Sequence, residues 1–435
     1  MKPIIQYILY HLARAVLKKY HPDVIGITGS VGKTSVKEVL GYVLQSHFNV
    51  KWSKKSYNNE LGVPLTILLA ERSAGRSFVG WMRIFLHAIS LLTRKNAHYP
   101  SVLILEMGAD SPGNISYLTT LAPCRVGIIT AISPTHLEKL GSLELLAKEK
   151  KIIIEHLKGE RSCAILNADD ENIFEERSNL RVPVLSYGLN PKADVSVKKY
   201  FERYIFTNGE WKSRINGIIT YKDKEYEFEN THIIGLHSLS SLLAGITGGI
   251  FYAIPLPVTL QKISQVVPVP GRMKGLKGIK KSFIIDDTYN SSPKAAHAAL
   301  EVMQKIQIDE GGRRIVILGD MLELGSVSDE EHNILGKKVV ESRIDILITV
   351  GSLAQEIGIS AIANGLDPKQ VVWFDSSVSA ASYVRDIIHT GDVMLVKGSQ
   401  GVRLEYIVKR IMAEPERANE LLVRHDSEWA HSSSG

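Results

Sequence analysis

The stretch Val24-Ile-Gly26-Ile27-Thr-Gly29-Ser30-Val31-Gly32-Lys33-Thr34-Ser35 decides how this chain is read. A short apolar run leads into a glycine-rich turn that opens a helix. A turn of this kind aims backbone N–H groups at phosphate oxygens, while its lysine spans the terminal phosphates and its hydroxyl ligates Mg²⁺. Strict phosphate-loop spacing asks for glycine at position 27, where this chain has Ile27. Glycine-rich turns without phosphate are common. Here the lysine, the hydroxyl and the strand–helix context occur together, so nucleotide phosphates are expected on Gly29, Ser30, Val31, Gly32, Lys33, Thr34 and Ser35.

Around this loop, apolar runs at 24–28, 102–107, 126–132 and 164–167 alternate with helical segments. That alternation is the sign of a parallel sheet covered by helices, and polar or glycine-rich residues follow each run, where the ends of parallel strands build sites. Residues 195–228 mix tyrosines with charges and read as an antiparallel patch on the same domain. Pro255, Pro257, Pro268, Pro270 and Gly271 then punctuate the chain, and a second α/β series follows with strands at 283–285, 315–318, 346–350, 371–374 and 393–396. The expected division is a first domain over 1–268, a second over 269–430, and a polar tail over 431–435.

Composition sets the outer limits. The 435 residues suit two or three domains, and 44% apolar with 23% charged residues excludes a disordered or low-complexity chain. Two cysteines, Cys124 and Cys163, exclude a disulfide framework or a four-cysteine zinc site; they fit a reducing cytosol and are expected in buried structure. The net charge of +6 is scattered, which favours anionic small molecules over nucleic acid.

No uninterrupted apolar run reaches the ~18 residues of a membrane-spanning helix. Two amphipathic stretches come near. In 1–20, Ile5, Ile8, Leu12 and Val16 recur at helical spacing among Lys2, Arg14, Lys18 and Lys19, without a signal-peptide cleavage site. In 78–92, Trp81, Ile84, Phe85, Ala88 and Leu92 share a face, with Arg83 and His87 off it. Both read as helices packed on the protein's own core, with peripheral contact to a membrane or a partner protein as the alternative.

Three residues outside the loop bear on its chemistry. Glu106 ends an apolar run, where a carboxylate faces the loop and can hold a metal; His136 follows the next strand; Lys150 lies in a charged helical segment. Singly they read as a capping acid, an ordinary histidine and a solvated lysine.

Together with other segments they carry a resemblance. These segments are Tyr57-Asn58-Asn59-Glu60-Leu-Gly-Val-Pro-Leu-Thr, Leu105-Glu-Met-Gly-Ala, Pro134-Thr-His-Leu-Glu with Gly141-Ser-Leu-Glu, and Ala164-Ile-Leu-Asn-Ala-Asp-Asp. Further on come Asp286-Asp-Thr-Tyr-Asn290-Ser-Ser-Pro293, Leu318-Gly-Asp-Met-Leu-Glu-Leu-Gly325 and Val396-Lys-Gly-Ser399. In this order, from about residue 23 to 410, the chain resembles the Mur ligases of peptidoglycan assembly, most closely the branch that adds D-alanyl-D-alanine to a UDP-linked muramyl tripeptide.

The resemblance implies an α/β fold: a P-loop ATPase domain with a parallel sheet flanked by helices, followed by a Rossmann-like C-terminal α/β domain. It also implies a cytoplasmic, ATP-dependent ligase in which ATP phosphorylates a carboxylate and an amine captures the acyl phosphate. Carried over by position, Lys33 contacts the β- and γ-phosphates, and Thr34 and Glu106 hold a first Mg²⁺. His136 and a CO₂-carbamylated Lys150 hold a second, the carbamate turning a repelling ammonium into an anionic ligand. Arg272 and Asn290 fall near the ATP phosphates and Asp287 at the ribose; His237 falls among the nucleotide-binding residues, on a helix where one of two positions occupied here by serine approaches adenine. Asn58, Asn59, Lys397, Ser399, Arg403 and Glu405 fall on the substrate side, and catalysis is expected to need domain closure.

The chain departs from its branch in several places. That branch carries a UDP-gripping domain before the loop, where this sequence has about 25 residues. The expectation is therefore that UDP is held in another way, that a separate protein holds it, or that the substrate is not UDP-linked. Ser238 and Ser241 stand where asparagine is usual, Ile152 replaces an acid and Gln400 an arginine, while 71–100 reads as an insertion. A ligase for a UDP-free carboxylate and an ATP-binding scaffold without ligation are the alternative functions.

Overall fold

Continuous apolar strands buried on both faces need helices on both sides, and the first half of the chain is built this way. In chain order its strands are β1 (Asp23–Thr28), β2 (Val50–Trp52), β3 (Val102–Glu106), β4 (Val126–Ile129), β5 (Cys163–Asn167) and β6 (Val184–Gly188). They pair in parallel in the order β2-β3-β1-β4-β5-β6, with Ile27 opposite both Glu106 and Ile128. The strand order reverses at β1, and ligands of such sheets bind beyond the carboxyl ends of the strands at that point. The computed structural model describes residues 2–53, 57–70, 74, 75, 77–134 and 137–424.

After β6 come β7 (Val195–Thr207), β8 (Glu210–Tyr221) and β9 (Lys224–Asn230). Asn208 and Gly209 join the first pair, and Lys222 and Asp223 the second, all four at positive φ. Two-residue turns of this kind join antiparallel strands, in line with the pattern expected for 195–228. The chain forms two units, one from Met1–Lys199, Gly217–Phe228 and Ser240–Val266, the other from Tyr200–Asn216, Glu229–Leu239 and Val267–Gly435. The hairpin strands thus contribute residues to both.

In the first unit the helices that matter here are α1 (Lys2–Tyr20), α2 (Lys33–Leu44), α3 (Gly62–Ile67), α4 (Phe78–Thr93) and α5 (Asn114–Leu121). Leu9, Ala13 and Val16 of α1 and Trp81, Ala88 and Leu91 of α4 are buried in one core with Leu103, Leu105 and Ile153. Lys19 Nζ donates to the carbonyls of Leu91 (2.8 Å) and Arg94 (2.6 Å), and the Tyr20 hydroxyl donates to Leu91 as well (2.9 Å). These bonds satisfy carbonyls that a helix end leaves open. Both amphipathic stretches are helices on the protein's own core, but the buried face of each is rotated from the expected one: Ile84, Phe85 and Leu92 are only half-buried. Among the described residues no helix is long and apolar enough to cross a membrane.

The second unit has its own sheet, formed by β10 (Lys274–Lys277), β11 (Phe283–Asp287), β13 (Arg314–Gly319), β14 (Ile346–Val350), β15 (Val371–Phe374) and β16 (Val393–Lys397) in the order β10-β11-β16-β13-β14-β15. All its pairs are parallel except β10 with β11. The intervening β12 (Ile306–Ile308) pairs instead with Tyr204–Phe206 of β7. Ile284, Ile315, Ile317, Ile348 and Val396 fill the core. Both cysteines lie in buried structure: Cys163 is buried outright and Cys124, half-buried as a residue, packs its thiol against the core, and burial pushes the two thiols up to about 11 and about 12.

Candidate active site

In the first unit the phosphate loop runs from the end of β1 to the start of α2. Gly29 lies at φ 146° and Gly32 at φ 87°. A Cβ on Gly29 would sit 2.0 Å from Thr130 Oγ1 and 3.1 Å from the Ala131 nitrogen, so the loop passes flush against the segment after β4. The contact is stitched by Ser30 N to the Ala131 carbonyl (2.7 Å) and Ser30 Oγ to the Ser133 carbonyl (2.8 Å). Thr130 Oγ1 donates to the Val31 carbonyl (2.5 Å). We expect Gly29→Ala to weaken nucleotide binding about tenfold or more, the effect of only ~1.4 kcal/mol of loop distortion. Titration calorimetry with ATP checks this, and unchanged affinity contradicts the loop geometry.

Lys33 folds back over the loop, its Nζ 2.6 Å from the Gly29 carbonyl. Thr34 Oγ1 donates to Glu106 Oε2 (3.1 Å), and Asn58 Nδ2 reaches Glu106 Oε1 (3.4 Å). The register of β1 with β3 sets Glu106 beside Ile27 and hence beside the loop. Asn59 is exposed and caps α3, its Oδ1 accepting from Leu61 N and Gly62 N. Ser35 is half-buried on the first turn of α2. His136 lies outside the described residues.

Lys150 sits in the helix Leu143–Glu155 with about 1% exposure, its Nζ 3.2 Å from the Gly29 carbonyl. Burial and the Lys33 charge push its ammonium well below the ordinary lysine range, against the pull of Asp110 and Glu149. Glu149 is itself engaged, accepting from Gly113 N and Ile115 N at the start of α5.

Of the residues around the loop, Lys37 was not expected from the sequence, and Asn167, Asp170 and Ser241 were noted there without a structural role. Lys37, one turn after Lys33, is fully buried 3.7 Å from Glu106 Oε2 and 3.5 Å from Glu38 Oε1. Its only signal is that it lies between the apolar positions Val36 and Leu40 of α2. Asn167 donates to the Thr130 carbonyl (2.7 Å), and Asp170 Oδ2 accepts from Ile132 N (2.7 Å), so the Asn-Ala-Asp-Asp motif pins the segment that supports Gly29. Ser241 is buried with its Oγ about 4.0 Å from where a Gly32 Cβ would stand.

In the second unit the carboxyl ends of β11 and β16 place Asp287 against Lys397, Oδ2 to Nζ 2.6 Å, with both side chains buried. Lys397 also donates to the Asn290 carbonyl (3.0 Å), and Asp287 Oδ1 accepts from Met273 N (3.1 Å). Asn290 is exposed. The Arg272 guanidinium lies 4.2 Å from the centre of the Tyr289 ring. Ser399 is buried, its Oγ accepting from Leu322 N (2.9 Å). Arg403, at φ 59°, pairs with Glu405, which is fully buried and takes Arg424 on its other oxygen (3.3 Å). His237 is exposed on the first turn of the helix Leu236–Phe251; Ser238 Oγ turns back to the Ile234 carbonyl, and Gln400 is exposed.

Asp286, next to Asp287, is fully buried, and burial pushes its carboxyl up to about 6 against hydrogen bonds from Thr288 and Gly271. The folded state therefore holds this proton more tightly than the unfolded chain. Its stabilising effect is complete below the ordinary value of 3.8 and is lost as pH rises through about 6. Asp286→Asn removes the titration and is expected to flatten that part of a melting temperature–pH profile. A variant profile that keeps the parent's slope between these values contradicts the assignment.

A glycine-rich loop between strand and helix, beside a hydroxyl–carboxylate pair, defines a nucleotide-binding α/β protein of the phosphate-loop class. The family of Mur ligase middle domains matches residues 27–80 and 86–248, and that of Mur ligase, glutamate ligase domains matches 271–400. The chain belongs to the Mur ligase family and is an ATP-dependent ligase. It is 28% identical over 411 residues to the UDP-N-acetylmuramoyl-tripeptide--D-alanyl-D-alanine ligase of Bacillus subtilis (strain 168), covering 94% of this chain and 79% of that one. Among solved structures it resembles the MurF ligase of Thermotoga maritima in complex with ADP, with TM-score 0.74, 25% identity, and 95% and 84% of the two chains covered. It also resembles MurF from Acinetobacter baumannii, with TM-score 0.75, 22% identity, and 93% and 79% covered.

Proposed function

We propose that this ligase joins D-alanyl-D-alanine to a UDP-N-acetylmuramoyl tripeptide at the expense of ATP. The meeting of Thr34 and Glu106 beside Lys33, at the mouth of the loop, carries the reading. A carboxylate oxygen attacks the γ-phosphorus, the bond to ADP breaks, and an acyl phosphate forms. The amine nitrogen then attacks the acyl carbon, phosphate leaves, and the ammonium proton is lost. The reacting oxygens are all anionic, so catalysis rests on positioning and on positive charge.

In this reading the loop N–H groups and the start of α2 hold the phosphates, and Lys33 swings from the Gly29 carbonyl to the β- and γ-phosphates. Thr34 and Glu106 offer oxygen ligands 3.1 Å apart, a set that fits Mg²⁺, and Lys150, with His136 by the family resemblance, would hold a second ion. Mg²⁺ there would offset the charge of the transferring phosphoryl group. Lys150 supports this reading because a buried amine, relieved of its proton, can add CO₂ and release a proton to become a carbamate. Lys37 holds Glu106 in place.

Asp287 is assigned to the ribose, Arg272 and Asn290 to the phosphates, and His237 to the nucleotide without a particular part of it. Asn58, Asn59, Lys397, Ser399 and Arg403 are assigned to the substrates, with buried Glu405 positioning Arg403. The domains are assigned as 1–268 and 269–430. The test is to offer purified protein ATP, the UDP-linked tripeptide and D-alanyl-D-alanine, and to weigh the products. A condensed product formed in step with ADP is expected. A product formed only from UDP-free carboxylates, or ATP binding without any product, overturns the substrate assignment.

A further inference from the structure

The packing of α4 leaves a surface that ligation does not use. Its inner face is fixed by Trp81, Ala88 and Leu91, with Trp81 Nε1 bonded to the Gly75 carbonyl (3.1 Å), and Ser77 caps its first turn. On the opposite side Phe78, Met82, Leu86 and Ile89 follow one another at helical spacing with Val79 beside them, each between 43% and 73% exposed. A helix apolar on both sides has one face left over once its core contact is made. Arg83, His87 and Arg94 border the stripe on one side and are exposed.

The outer face of α1, which packs beside α4, changes along its length from apolar to basic: Ile4 and Tyr7 are exposed first, then His11, Arg14 and Lys18. Neither residues 2–20 nor residues 74–100 contain an aspartate or glutamate. A broad apolar stripe edged by cations and free of acids is the pattern of a helix lying in the boundary layer of an anionic bilayer. A second copy of the chain would bring Arg14, Lys18, Arg83 and Arg94 against groups of the same sign with no carboxylate on either helix.

We propose that the outer faces of α4 and α1 dock this protein on an anionic lipid surface. The docking is peripheral, with the apolar side chains of α4 in the headgroup and upper acyl region and the basic groups at the phosphates.

Sedimentation of the full chain with phosphatidylcholine vesicles, with and without phosphatidylglycerol, tests this. The protein is expected to pellet with the anionic vesicles and to be released by salt. Arg83→Glu combined with Arg94→Glu should reduce partitioning about tenfold or more, since each basic group near the surface is worth about fivefold. Phe78→Asp combined with Leu86→Asp should reduce it at least as far, with ATP turnover in solution unchanged. Parent protein that stays in the supernatant over anionic vesicles overturns the proposal, as do variants that pellet like the parent. Self-association without vesicles that Leu86→Asp abolishes also overturns it, assigning the face to a second copy. Turnover is measured without lipid, so failure here is distinct from failure of the ligase reading.

Discussion

Lys33→Ala is expected to lower ATP turnover by about two to three orders of magnitude, the loss typical of one charged donor at a transferring group. In the structure the Lys33 ammonium lies across the loop, 2.6 Å from the Gly29 carbonyl, at the point where terminal phosphates would displace it. The two neighbouring lysines are otherwise placed. Lys37 is buried against Glu106, and Lys150 is pushed toward its neutral form. Neither replaces a mobile cation at the mouth of the loop. The Lys33 side chain is only half-buried, so its removal should move the melting temperature little. ADP release under saturating substrates checks the first expectation and thermal denaturation the second. Turnover within tenfold of the parent contradicts the role.

Lys150→Ala is expected to remove about 99% of ligation while the protein stays folded, a loss on the scale of one electrostatic group at the reacting centre. A buried ammonium 3.2 Å from the Gly29 carbonyl and close to the Lys33 charge is a costly arrangement, and loss of its proton relieves it. The neutral amine is the form that adds CO₂. Parent activity should therefore fall when bicarbonate is stripped from the buffer and return when it is restored. The variant should show neither response. A variant with full activity, or a parent indifferent to bicarbonate, removes the carbamate from the account.

The parts of this molecule legible in the sequence are those that local chemistry dictates. Strands β1, β3, β5, β13, β14 and β16 are built mainly of apolar residues, and the loop between β1 and α2 has a composition that few other structures require. Strands β2, β6 and β10 were not expected, since each is only three to five residues long and mixes polar with apolar side chains. Their pairing is decided by neighbours distant in the chain. The same holds for α4: with apolar residues on two sides, its periodicity cannot say which side meets the core, and the structure exposes Phe78 and Leu86 while burying Leu91.

The candidate site divides in the same way. Lys33, Thr34 and Glu106 were expected together and lie together. The second unit gives up less to sequence reading, because its charged groups are paired in the interior. Asp286, Lys397, Glu405 and Arg424 would each be read as surface residues from composition, yet each is buried against a partner from another element. Lys37 was missed for the same reason. Only the tertiary fold brings Glu106 to it.

The central claim is that a substrate carboxylate takes the γ-phosphoryl group of ATP before nitrogen arrives. Labelling that carboxylate with heavy oxygen and weighing the phosphate released during ligation tests it directly. The account predicts one labelled oxygen in each phosphate formed. Unlabelled phosphate accompanying a genuine condensed product would contradict it.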